Sequence, residues 1–264
     1  MTINMNIDSK KVRIIQATNE ILNKYKHMTV RAVFYQLVGK GMVKNSIQEY
    51  NNVGRTLTQA RREGLIDWQR ITDHTTKYYG LDNWETLKDF MEDVKAAFRL
   101  TPDYDNHIEV WVEKDAMSWI SEITQRYNIP TVCTIGYAKY TALQRVKERI
   151  ADKEAVYILI LTDYDPSGEN IVEKVREEIG NNNVYIRKIA LTEDQVKKYN
   201  LPSVPAKTSD PRTARGSIDV QVEMDALDRE IMEKIIVDSI HDIVTPEDVK
   251  KLKDREDELR EAIA

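Results

Sequence analysis

The sequence predicts an α/β chain in which a helical N-terminal module precedes a parallel sheet covered by helices. Three observations carry that expectation. Residues 10–64 read as successive amphipathic helical periods separated by short turns. From residue 107 onward, short Val- and Ile-rich runs alternate with helical periods in a β-α-β-α-β-α-β order, which calls for a parallel sheet with helices on its faces. The longest apolar run, AVYILIL at 155–161, suits a buried central strand and is far too short to span a bilayer.

In chain order, KKVRIIQATNEILNKY places Val12, Ile15, Ala17, Ile21 and Leu22 at helical spacing. In TVRAVFYQLV, Val30, Val33, Phe34, Leu37 and Val38 form one apolar stripe, so Phe34 is core. Tyr35 lies on the polar flank with Arg31, four residues earlier; taken alone, this helix reads as carrying a rim tyrosine. Gly39 and Gly41 end it. NSIQEYNNVGRTLTQARREG opens on a capping box, Ser46 with Glu49, and closes on Gly64. Ile47, Tyr50, Val53 and Leu57 form its inner side, and Asn51, Arg55, Thr58, Gln59 and Arg62 its outer side. LIDWQRITDHTTKYY, rich in Trp, Thr and Tyr, follows as a β-wing. Together these segments form a winged-helix pattern whose third helix is the groove reader, with Arg55, Gln59, Arg61, Arg62 and the wing Lys77 as DNA-binding residues. The competing reading is a plain three-helix scaffold.

Residues 81–104 read as a linker helix. The strands are then HIEVWVE, TVCTIG, AVYILILTD and NVYIRKIAL, with AMSWISEITQRYN, KYTALQRVKERIADK and GENIVEKVREEIG as the helices between them. SIDVQVEM alternates like an extra strand, and a capped helix starts at Thr245-Pro246. The expected organisation is a winged helix at 8–80, a linker at 81–104, a Rossmann-like domain at 105–230 and a helical extension at 231–264.

Composition narrows the function classes. The start, MTINMNIDSKK, lacks the apolar core of a secretory leader, and no membrane is expected. One cysteine, Cys133, excludes an internal disulfide and a cysteine metal site, so a cytoplasmic life is expected; within TVCTI the residue is expected to pack. The four histidines are scattered and suggest no metal site. The net charge of −5 is unevenly spread. Between Lys24 and Gly80 there are ten Lys/Arg against four Asp/Glu, a net of +6 that leaves −11 for the rest. A basic module on an acidic body points to a polyanion met by the module.

In a parallel sheet the carboxyl ends of the strands line the ligand crevice. Here one strand finishes in Glu113 and the most apolar one in Asp163 and Asp165, whose two-residue spacing sends both carboxylates the same way in an extended segment. Three carboxylates in one crevice call for a cation, and an all-oxygen set suits Mg²⁺. Acidic residues after strands often only cap the next helix, as Asp165 or Ser167 could for GENIVEKV and Asp115 for AMSWI.

VWVEKDAMSWI and LILTDYDPSGENI resemble the acidic motifs of the TOPRIM domain, the Mg²⁺-binding module of topoisomerases, primases and several nucleases. The Asp-Pro-x-Gly form is most similar to the A subunit of topoisomerase VI and the related meiotic double-strand-break protein. Those proteins place a winged helix before TOPRIM and carry a nucleophilic tyrosine in an Arg-x-x-Tyr-Tyr type motif, here matched by Arg31 to Tyr35. The resemblance runs over roughly residues 10–225, with LTEDQVKKYNLP and VEMDAL also similar. Ala32 and Phe34 depart from the family, which commonly has an acidic residue and a tyrosine there. The chain is shorter than ordinary A subunits and shows no P-loop, as in the reduced A-like proteins of mobile elements.

The resemblance implies Mg²⁺-dependent cleavage of double-stranded DNA by Tyr35, aided by Arg31, with Glu113, Asp163 and Asp165 holding the metal. It implies a homodimer acting at the nucleoid, with an ATPase B-type subunit as a further partner. The alternatives are a TOPRIM hydrolytic nuclease whose tyrosine only binds DNA and a non-catalytic DNA-binding protein.

Overall fold

The computed structural model describes residues 9–25, 27–72, 82–113, 119–133, 140–180, 183–205 and 220–262. The chain divides into two compact units. The first comprises the described residues within Met1–Thr76, Asp163–Pro166 and Leu191–Arg229, and the second those within Lys77–Thr162, Ser167–Ala190 and Glu230–Ala264.

The first unit starts with α1 (Ser9–Lys24), α2 (Val30–Gly39) and α3 (Ile47–Arg62). They close on a common core that includes Ile14, Leu22, Val33, Phe34, Leu37, Val53 and Leu57. In α1 Ala17, Ile21 and Leu22 are buried as expected, while Val12 and Ile15 are half-buried and Ile14 takes the inward place at that end; Thr18 enters the core by donating its hydroxyl to the Ile14 carbonyl at 2.7 Å. Helix α2 begins where the Thr29 hydroxyl accepts the Ala32 N–H at 3.0 Å, and α3 where Ser46 accepts that of Glu49 at 3.3 Å. The Glu49 carboxylate pairs with Lys10 at 2.7 Å. Gly64, at φ 69°, turns the chain out of α3 through a left-handed conformation that favours glycine.

Of the expected inner row of α3, Val53 and Leu57 are fully buried, joined by Thr56 and Ala60, while Ile47 and Tyr50 stay exposed at 81% and 37%. Beyond Gly64 come a 3₁₀ turn (Trp68–Arg70) and the short strand β2 (Ile71–Thr72), paired in parallel with β1 (Met28–Thr29). The rest of the expected wing, including His74 and Lys77, lies outside the described residues.

The same unit contains α8 (Glu193–Lys198), opened by a reciprocal cap between Thr192 and Gln195. The expected strand in SIDVQVEM is reduced, among the described residues, to β8 (Val220–Gln221), antiparallel to β7 (Val204–Pro205). Val222 then exchanges backbone hydrogen bonds with Tyr164 at 2.9 and 3.0 Å, and a 3₁₀ turn follows (Met224–Ala226). Asp228 accepts the Tyr25 hydroxyl at 2.5 Å, and Arg229 donates to the His27 carbonyl at 2.6 Å, so this segment is tied back to the N-terminal helices.

The second unit is built on a parallel sheet in the order β4 (Thr131–Cys133), β3 (His107–Val112), β5 (Val156–Leu161), β6 (Val184–Ala190). All three pairings are parallel, as the alternation of elements predicts. The connecting helices are α5 (Ile120–Thr124), α6 (Tyr140–Ile150) and α7 (Pro166–Ile179). Trp111, Leu143, Ile158, Ile160, Val172 and Val175 belong to the core on one face. Cys133, expected to pack, is exposed at the end of the short edge strand β4. Helix α4 (Leu87–Ala97) precedes the sheet; α9 (Arg229–His241) and α10 (Pro246–Ala262) follow it. No helix of the described residues is long and apolar enough to cross a membrane.

Candidate active site

Arg31 and Tyr35 stand one turn apart on α2, a spacing set by the helix that Thr29 caps. The Arg31 guanidinium carbon lies 6.0 Å from the centre of the Tyr35 ring. Tyr35 is half-buried and packs against the core, meeting Phe34 edge-on with ring centres 5.2 Å apart. It is a rim residue in position, with its neighbour arginine on the same flank.

Two carboxylates to which the sequence reading gave no role complete this corner. Arg31 pairs with Glu223, and its Nε lies 3.9 Å from Asp225. Burial alone would pull the Arg31 guanidinium down; Glu223, Tyr35, Asp225 and Asp163 outweigh that and raise its pKa above the ordinary arginine value. Asp163 is 5% exposed, and its Oδ1 accepts the Met224 N–H at 2.9 Å, between the two acids that face Arg31. Three segments distant in sequence thus meet in one compact unit: α2, the loop after β5 and the 3₁₀ turn at 224–226. The signal for Glu223 and Asp225 was the same two-residue spacing that singled out Asp163 and Asp165; what could not be read was that an arginine 192 residues upstream of Glu223 would lie against it.

Asp165 is half-buried in the first unit. Glu113 is half-buried in the second, immediately after β3, and its N–H donates to the Leu161 carbonyl at 3.1 Å. Thr162, between β5 and Asp163, is fully buried with a hydroxyl that has no hydrogen-bond partner among the described residues. Taken singly, Glu113, Asp163 and Asp165 carry the oxygen donors that a hard cation such as Mg²⁺ takes. Among the described residues, no group of three or more His, Cys, Asp or Glu side chains is arranged to hold a metal ion.

The expected DNA-binding residues divide. Arg55, Gln59 and Arg62 are exposed on the outer face of α3. Arg55 Nε donates to the Asn51 carbonyl at 3.3 Å, and Gln59 bonds to Glu63. Arg61 is turned toward the 3₁₀ turn and donates to the Trp68 carbonyl at 3.2 Å, so it props the segment after α3. Lys77 lies outside the described residues.

No family model and no curated protein matches this sequence.

Proposed function

We propose that this chain cleaves DNA by tyrosine transesterification, with the N-terminal helices acting as a winged-helix module and the parallel sheet as a TOPRIM-type domain. The observation that carries the reading is the corner of the first unit in which Tyr35 and Arg31 share a flank of α2 with Asp163, Glu223 and Asp225 around the guanidinium.

In this reaction the Tyr35 phenolic oxygen attacks a backbone phosphorus, a bond between that oxygen and the phosphorus forms, the P–O3′ bond breaks, and the P–O5′ bond is kept. The phenol proton leaves and the departing 3′ oxygen takes one up, so a 5′-phosphotyrosyl link and a free 3′-OH result. Bond energy is conserved, and the step can run backwards. A phenol with pKa about 10 is a poor nucleophile near neutrality and needs a cationic neighbour. Arg31 supplies that charge to the phenolate or to the phosphoryl oxygens. Glu223 and Asp225 orient the guanidinium beside the ring. Glu113, Asp163 and Asp165 would hold Mg²⁺, which when bound neutralises charge on phosphate oxygens. A homodimer, and an ATPase subunit for any coupled strand passage, belong to the same proposal.

The test is incubation with supercoiled DNA and Mg²⁺, followed by denaturation and a search for protein attached to 5′ ends. The expected result is an adduct that Tyr35→Phe abolishes while DNA affinity stays within about twofold of the parent. Metal-dependent cutting without adduct, unchanged in Tyr35→Phe, would make the protein a hydrolytic nuclease. That second reading draws on the engagement of Arg31 by two carboxylates, which leaves the pair less cationic than a nucleophile's helper needs to be.

A further inference from the structure

Gly54 has no evident job in the fold. It sits in the interior of α3, where glycine is the costliest residue after proline. Its φ is not in the positive range that would require glycine, and an added Cβ would meet only Val30 Cγ1, at an ordinary 3.8 Å. Backbone and packing would both accept alanine. What the missing side chain leaves is space on the outer face of the helix: a cleft of about 430 Å³ bordered by Val30, Tyr50, Asn51, Gly54, Arg55 and Arg62.

We propose that this cleft is a binding site for one unpaired nucleotide of a DNA strand, with Gly54 as its floor and Tyr50 as its stacking wall. The volume lies at the small end of ligand sites, which span roughly 300–1,000 Å³. Tyr50 keeps 37% of its surface exposed, although the stripe it belongs to is core three residues further along, at Val53. It is braced edge-on against Phe34, ring centres 5.3 Å apart, and Phe34 in turn against Tyr35 at 5.2 Å. A fixed, exposed ring beside a recess suits a planar base, and base–aromatic stacking is tolerant of sequence. Asn51 carries both a donor and an acceptor for a base edge, and Arg55 and Arg62, two turns apart on the same face, carry the charge for flanking phosphates. A paired base buries its edges in a groove and would leave such a recess empty; a base turned out of the stack fills it. Phe34 meets the rings of both Tyr50 and Tyr35, and all three belong to the first unit.

This inference rests on the reading that the substrate is DNA, and its test is separable from the chemistry. With the full chain and no added metal, fluorescence anisotropy measures affinity for a short labelled oligothymidylate and for a blunt duplex of equal length. Gly54→Ala is expected to raise the melting temperature, because alanine suits the helix interior better, and yet to weaken oligothymidylate binding at least tenfold with little effect on the duplex. Tyr50→Ala is expected to weaken it about five- to hundredfold, the range for one lost stack, and Tyr50→Phe to restore it. Unchanged oligothymidylate binding in Gly54→Ala would overturn the proposal, as would an equal loss on the blunt duplex, which would make the cleft part of a duplex-docking face. A Gly54→Ala binding defect in a protein that never forms the Tyr35 adduct would sink the transesterase reading alone; an adduct with unaltered Gly54→Ala binding would sink this one alone.

Discussion

Glu109 shows how a single residue can be fixed by its partners. Its side chain is fully buried on β3, yet it is held as a carboxylate by Trp111 Nε1 at 2.8 Å, His107 at 3.1 Å and Arg149 at 2.7 and 2.9 Å. Burial pushes its pKa up, but the three partners prevail and bring it down to about 2. A depressed carboxylate stabilises the folded chain above the unfolded-state pKa, near 4, and that stabilisation is lost as pH falls toward 2. Glu109→Ala would strand Arg149 and the indole N–H, and should cost about 3 kcal/mol at pH 7 in urea unfolding. In the same variant the stability lost by the parent between pH 4 and 2 should shrink. The burial of β3 was readable from its run of apolar residues; that a glutamate in its midst would be satisfied by an arginine 40 positions later was not.

At the scale of elements, α2 and α4 contrast. Helix α2 was legible because stripe and terminating glycines agree, and the structure buries Val33, Phe34 and Leu37 of that stripe, with Val30 and Val38 half-buried and Ala32 buried beside them. Helix α4 has the same kind of pattern, but none of its residues is buried. Leu87 is 75% exposed, so tertiary packing contributes little there. Its support is local: Thr86 and Asp89 form a reciprocal capping box, and the Trp84 indole donates to Asp93 at 2.6 Å. Thr86→Ala should therefore cost about 1 kcal/mol of local helix stability. The effect should appear as faster amide exchange across residues 87–97 with the global unfolding midpoint unchanged. An amphipathic period states that a helix has an apolar face; it does not state whether anything covers that face.

For the whole molecule, the sequence places a local charge of +6 on residues 24–80 in a chain of net −5. If that module meets DNA, affinity should fall steeply with salt, and Arg62→Ala should reduce the slope of log affinity against log salt by about one. Arg61→Ala should leave the slope nearly unchanged while lowering stability, because its guanidinium holds the Trp68 carbonyl. By itself the sequence determined the parallel α/β character of the second unit, the three N-terminal helices and the membership of Arg31 and Tyr35 on one flank, since all of these follow from local periodicity. Only the tertiary structure decided that Glu223 and Asp225 would lie at Arg31, that Asp163 would hold the Met224 amide between them, and that Tyr50 would stand out beside a recess over Gly54. Those outcomes depend on which distant segments share a compact unit, and spacing along the chain records the direction of a side chain without recording what it meets.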